Sequence, residues 1–247
     1  MSITGPADGE PHKVGVAIVD VTAGLFAANA ILAALHYRGE TGKGQYIDIA
    51  LLDSQIGWLV NVAQNYLANH ETPGRYGNAH PNIVPYETFR TADGILALAI
   101  GTDAQFQRFC EVIGHPELSA DPSYKTNPDR VIAREDLVPR LQDLFLTRTT
   151  ADWIDLLLAE KIPVAPVNDI PTILNDPQTK AREMVQTIKR STGETLSLIG
   201  PVAKLSKTPA KIKYAPPRLG QDTAEVLGQH LQYSSQLIEQ LKNEGVI

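Results

Sequence analysis

The sequence predicts an α/β fold, and three observations carry that prediction. A β-branched run, VGVAIVD (residues 14–20), passes straight into a small-residue apolar stretch with helical spacing. The same order repeats in YIDIALL (46–52) and DSQIGWLVNVAQNYLAN (53–69). A loop rich in proline, glycine and asparagine then separates this block from a second one, which mixes a strand with amphipathic helices. Strand–helix–strand–helix order is the signature of a parallel sheet with a crossover helix. A chain of 247 residues is long enough for one large domain or two small ones.

Residues 1–13 read as loop. The strand expected at 14–20 ends on Asp20, and Leu25, Ala28, Leu32 and Leu35 then fall on one face of a helix, with Ile31 beside them. RGETGKGQ (38–45) supplies glycines for a turn before the second expected strand, and 53–69 reads as one long helix. The stretch HETPGRYGNAHPNIVPYETF reads as a loop and a domain boundary. Beyond it, ILALAI (95–100) is a strand, and AQFQRFCEVIG, REDLVPRLQDLF and TTADWIDLLLAEK are helices, the last capped by Thr150 or Asp152. IPVAPVND is an extended connector and DIPTILNDPQTKAREM a short helical stretch. VQTIKR and GETLSLIGP form a hairpin around a Thr-Gly turn. APPRLGQDT is a rigid loop, and TAEVLGQHL and SQLIEQLKNEG are closing helices. A buried parallel sheet needs several strands. The chain offers few before the boundary, so its first segment reads as the tail of a larger α/β domain.

Composition narrows the function. Hydrophobic residues at 43% and charged residues at 20% are ordinary globular usage. A net charge of -6 has the wrong sign for non-specific nucleic-acid binding, though a local basic pocket can still take a small anion. The single cysteine, Cys110, excludes an intramolecular disulfide and multi-cysteine metal sites, and its helical apolar setting marks it as a core residue. The six histidines show no metal-binding spacing, so no metal is expected. No uninterrupted apolar run of about 18 residues is present, and Asn29 interrupts the nearest candidate, so no membrane association is expected. The polar start lacks the features of a signal peptide. The expectation is a cytoplasmic protein, or one of the mitochondrial matrix in a eukaryote.

Asp20 is the position most suggestive of chemistry. It stands where the expected strand meets a helix start, the place where open α/β sheets bind ligands. Free N–H groups and the helix dipole there keep a carboxylate ionised and stabilise a developing oxyanion. A carboxylate so placed can attack an acyl carbon, or it can be an ordinary N-cap. Arg38, Lys43 and Lys13 are cations near turns, suited to phosphates or to solvent. His80 lies in a shaped loop with Asn78.

These segments together resemble the class III CoA-transferases, the CaiB/BaiF type. The residues that carry the likeness are Asp20 after the β-branched run, the small-residue helix, RGETGKGQ from Arg38 through Lys43, and Asp53. PYETFRTADGILALAIG, DPSYKTNPDRV, IPVAPVND and APPRLGQDTAEVL follow in the same order. The resemblance implies two chains threaded into an interlocked dimer, each with a Rossmann-like large domain and a smaller α+β domain. It places a piece of the large domain at 1–77, the small domain at 78–180 and a return segment at 181–247, and it implies that the family's N-terminal portion lies outside this chain. It further implies coenzyme A and acyl-CoA as substrates, with Asp20 as the nucleophile that forms an aspartyl anhydride and an aspartyl-CoA thioester. The matching segment is a glycine run in formyl-CoA transferase. Here RYGNAHPN replaces it and points instead to dicarboxylates such as succinate or hydroxymethylglutarate, with His80 and Asn78 lining the acyl site and Arg38 and Lys43 meeting the cofactor. The partners implied are acyl-CoA, a carboxylic acid, and either a second copy or a complementing N-terminal chain. An acyl-CoA racemase of the same fold and an inactive interaction subunit remain as alternatives.

Overall fold

In the computed structural model, which describes residues 1–190 and 192–247, the β-branched run at 14–20 is not a strand. Residues 14–17 are irregular and the first helix, α1 (Ile18–Thr41), starts inside the run. YIDIALL is likewise irregular up to α2 (Leu51–Gly57). β-branched content favours extended backbone, but a strand also needs a neighbour to satisfy its N–H and C=O groups. Among the described residues no segment pairs with either run, so the expected parallel sheet does not form here. The single helix expected at 53–69 is two, α2 and α3 (Val60–Asn69), divided where Val60 takes a positive φ of 40°.

The chain forms two compact units, Met1–Val167 and Asn168–Ile247. In the first, α1 runs 24 residues and closes on Gly42 in the left-handed conformation, whose N–H donates to Arg38 O. Asp20 in its first turn and Arg38 in its last complement the helix dipole. The apolar face expected to be covered is not: Leu25 is 61% exposed and Leu32 66%, while only Thr22 and Ala23 are buried. By length and composition α1 is apolar enough to cross a membrane, and it is largely exposed in this chain. Core helices of soluble proteins share that length and composition. Asn29 interrupts the apolar run but leaves the helix apolar as a whole.

The core of this unit lies farther along. Strands β1 (Tyr86–Arg90), β2 (Ile95–Ala99) and β3 (Val164–Pro166) make an antiparallel sheet in that order, with Phe89 opposite Leu96 and Leu98 opposite Val164. β1 falls inside the region expected to be loop; its partner β2 was expected. Helices α4 (Asp103–Val112), α5 (Pro116–Ala120), a 3-10 turn (Pro122–Tyr124), α6 (Asn127–Ile132), α7 (Arg134–Phe145) and α8 (Thr150–Ala159) lie between β2 and β3 in sequence. Phe145 sits at the centre of the core, with ring centroids 4.8 Å from Phe89 and 5.0 Å from Trp153. Trp153 Nε1 donates to Phe145 O at 2.9 Å, which satisfies the one polar atom of a fully buried indole. Thr149, not Thr150 or Asp152, caps α8, its hydroxyl accepting from Asp152 N; Asp152 returns as the carboxylate beneath the cap. Cys110 is buried as expected, and burial pushes its thiol up to about 12.

The second unit contains α9 (Ile170–Asn175), α10 (Pro177–Ala181), the antiparallel hairpin β4 (Val185–Lys189) and β5 (Thr195–Ile199), then α11 (Thr223–Gln229) and α12 (Ser235–Asn243). Gly193 turns the hairpin at φ +87°. Asp169, Asp176 and Ser234 cap α9, α10 and α12 with side-chain oxygens, as the sequence chemistry of helix starts requires.

Candidate active site

Asp20 is the third residue of α1 and is exposed. Ala17 at the N-cap supplies no side-chain acceptor, and the amides of the first turn have no carbonyl four residues back within the helix. The carboxylate therefore stands in the positive end of the dipole. It lines a cavity of about 310 Å³ with His12, Lys13, Gln55, Trp58 and Leu59, whose remaining walls are mostly apolar. The cavity is open to water on one side and apolar on the other. Lys13 was noticed in the sequence only as a loop cation. Gln55 and Trp58 carried no signal there, since only the packing of α2 against α1 brings them beside Asp20.

The loop that carries His80 and Asn78 is built separately. Asn78 Nδ2 donates to Thr88 Oγ1 at 3.1 Å, which fixes it to β1. The His80 amide donates to Tyr86 O at 2.8 Å, and its ring stacks on Tyr86 at 5.3 Å. The Asn82 amide donates to His80 Nδ1 at 3.0 Å. A neutral ring held this way carries its proton on Nε2. Partial burial and the Arg134 guanidinium both push the His80 pKa down, which favours that neutral form. Arg134 fixes the loop from behind, donating to His80 O at 2.7 Å, standing 3.7 Å from the Glu87 carboxylate and lying over the Tyr76 ring. Burial raises the Glu87 pKa even with Arg134 beside it.

His80 and Asn78 do not line the Asp20 cavity, nor the neighbouring polar cavity of about 260 Å³ lined by Asn65, Asn69, Glu71 and Tyr76. The N-terminal stretch connects the two sites. Arg75 Nε donates to Pro6 O at 3.1 Å and Gly77 N to Gly5 O at 3.0 Å, while Ile3 lines both cavities. Arg38 and Lys43 are elsewhere. Arg38 is eighteen residues along α1 from Asp20, about 27 Å at a rise of about 1.5 Å per residue, and Lys43 follows the C-cap. Both are exposed, and neither meets Asp20 within this chain. Among the described residues no group of three or more His, Cys, Asp or Glu is placed to hold a metal ion.

Comparison with known proteins connects these features. The model of CoA-transferase family III matches residues 1–223. The chain is 40% identical over 247 residues, all of its own length and 57% of the relative's, to a succinyl-CoA:glutarate CoA-transferase of Mus musculus. It is 38% identical over 229 residues, 93% of the chain and 57% of the relative, to a succinate–glutarate CoA-transferase of Agrobacterium fabrum. The solved structure of a CaiB/BaiF family protein from Brucella suis superposes with a TM-score of 0.75 at 37% identity, covering 93% of this chain and 59% of that one. The chain thus spans somewhat under three fifths of the length of these relatives, and it belongs to CoA-transferase family III.

Proposed function

We propose that the chain supplies the nucleophile of a CoA transfer between an acyl-CoA thioester and a dicarboxylic acid. The observation that carries the reading is the exposed Asp20 carboxylate at an uncapped helix start, facing a cavity with largely apolar walls. The succinate and glutarate named in two relatives support the dicarboxylate class. One Asp20 oxygen attacks the thioester carbonyl and the C–S bond breaks, leaving a mixed anhydride and CoA thiolate. The thiolate then attacks the Asp20 carbonyl of the anhydride, releasing the donor's carboxylate and forming an aspartyl-CoA thioester. The acceptor's carboxylate attacks that thioester, expels the thiolate and forms a second anhydride. Attack of the thiolate on the acceptor's carbonyl restores Asp20. No net proton moves. Each tetrahedral oxyanion forms near the first amides of α1, where the dipole favours it.

His80 lies outside the Asp20 cavity in this chain, and its reading as donor to the acid's remote carboxylate is supported by its Nε2–H, which a neutral ring offers without being consumed as an acid. In the same reading α1 is a core helix of the complete assembly rather than a membrane span, and its apolar face is covered by polypeptide from a second copy or a complementing chain.

The test is Asp20→Asn in the active assembly. CoA exchange falls by at least about 10³-fold, and hydroxylamine no longer traps a hydroxamate at this residue during turnover. Turnover near the unaltered rate, or no trapped adduct on the unaltered protein, refutes the nucleophile. His80→Ala raises KM for the acceptor acid about tenfold, as expected for one lost charge-assisted hydrogen bond, and leaves formation of the aspartyl-CoA thioester unchanged.

A further inference from the structure

Every step of the transfer proposed above uses the sulfur of CoA as leaving group or as nucleophile, and the charge of the site can be followed through it. In the resting site the negative charge is on Asp20. When Asp20 attacks the thioester, the charge passes to the CoA thiolate, and Asp20, now one side of an anhydride, is neutral. When the thiolate attacks Asp20, the charge leaves with the donor's carboxylate. The acceptor's carboxylate brings it back, its attack returns it to the thiolate, and the last step restores it to Asp20. Each chemical step thus holds one negative charge, moving between an oxygen and a sulfur.

The sulfur is where that charge is most easily lost. A cysteine-like thiol has a pKa of about 8.5, so near pH 7 a thiolate in water takes up a proton. Apolar walls favour the neutral thiol further. The thiol is a poor nucleophile, and an anhydride waiting for one meets water instead. A fixed cation beside the sulfur opposes protonation. Among the described residues lining the Asp20 cavity, Lys13 is the only lysine or arginine. It lies on irregular chain seven residues before Asp20, and its side chain is exposed. Its Nζ donates to O of Val14, another wall residue, at 3.4 Å. Two of the three ammonium donors stay open to a ligand. The other titratable side chains on the walls are Asp20 and His12, and a histidine loses its charge across the neutral range. From α2 come Gln55 and Trp58, which carry no charge.

We propose that Lys13 is the counter-ion of this travelling charge, facing the Asp20 carboxylate across the cavity in the resting site and pairing with the CoA thiolate while Asp20 is acylated. The inference rests on the transfer reading and adds to it a second residue in contact with a reacting atom. The start of α1 also favours anions, but its amides serve the oxyanion on carbon, which leaves the sulfur to Lys13.

Asp20→Asn in the active assembly supplies the test state, because its neutral amide matches the charge of an acylated Asp20 and CoA binds without turnover. Ultraviolet absorbance of the bound thiolate is followed against pH. The bound thiol ionises at lower pH than free CoA. Adding Lys13→Gln moves that titration up to the position of free CoA or beyond, and adding Lys13→Arg leaves it lowered. With Asp20 intact, Lys13→Gln slows CoA exchange at pH 7 by at least about tenfold, and the rate then climbs with pH as the thiol ionises unaided. Lys13→Arg keeps most of the rate, and unfolding in urea is unchanged in both variants, since an exposed loop cation contributes little to stability. A bound thiol that titrates like free CoA in Asp20→Asn, a titration that Lys13→Gln leaves in place, or equal losses of exchange in Lys13→Gln and Lys13→Arg overturns the proposal. Should Asp20→Asn lose CoA, the pH–rate profile of Lys13→Gln decides by itself: a profile parallel to that of the unaltered protein is the overturning result. Hydroxylamine still traps Asp20 in Lys13→Gln. Absence of the trapped adduct on the unaltered protein counts against the nucleophile alone, so the two failures are told apart.

Discussion

Arg130 holds together the α+β core of the first unit. It is fully buried, and its guanidinium donates to Val84 O at 2.7 Å, Tyr124 O at 3.0 Å and Asp103 Oδ1 at 2.9 Å while lying 4.4 Å over the Phe106 ring. Arg130→Met keeps the bulk but leaves two carbonyls without donors, and stability in urea falls by about 3 kcal/mol. No local signal marked this residue, because two of its three partners, Asp103 and Val84, lie 27 and 46 residues away in sequence. The helix start at Asp20 was legible from local pattern, although the strand expected before it does not form. His80 could be read only in part: its loop was visible, but the Arg134 and Tyr86 contacts that set its orientation and charge are long-range.

At the scale of elements, local patterns succeeded where an element's own side chains decide it. REDLVPRLQDLF became α7 without a shift of ends, because Leu137, Leu141 and Phe145 recur at helical spacing and are buried. ILALAI became β2 because a partner strand exists on each side. The runs at 14–20 and 46–52 failed for want of such partners. Helix starts are held by acceptors that titrate. Thr126 and Asp129 form a reciprocal capping box at α6, and Thr126→Ala costs about 1 kcal/mol in thermal or urea unfolding. The Thr126 hydroxyl holds the Asp129 pKa below its usual 3.8, the Thr150 amide does the same for Asp93, and the Tyr124 hydroxyl for Asp136. A carboxyl whose pKa is lower in the folded protein than in the unfolded chain contributes stability that is complete above about 3.8 and lost as pH falls through the lowered value. Tm is therefore flat with respect to these three groups from pH 7 to about 5 and drops below pH 4. In Asp129→Asn the drop is shallower from a lower starting value.

For the whole molecule, the relation to the family was legible because its motifs keep their order along the chain. The absence of a parallel sheet among the described residues was not legible, since no local pattern tells whether the runs at 14–20 and 46–52 find pairing partners; the chain spans 57% of the mouse relative. Within α1 the two predicted functional ends stand far apart, Asp20 in the first turn and Arg38 in the last. Groups at that distance with no shared neighbour act as thermodynamic strangers. The unfolding penalties of Asp20→Asn and Arg38→Gln therefore sum to that of the double variant within about 0.5 kcal/mol. The same double-mutant cycle run with acyl-CoA present becomes a molecular ruler: an excess over the sum means that one bound body touches both ends of a single rod.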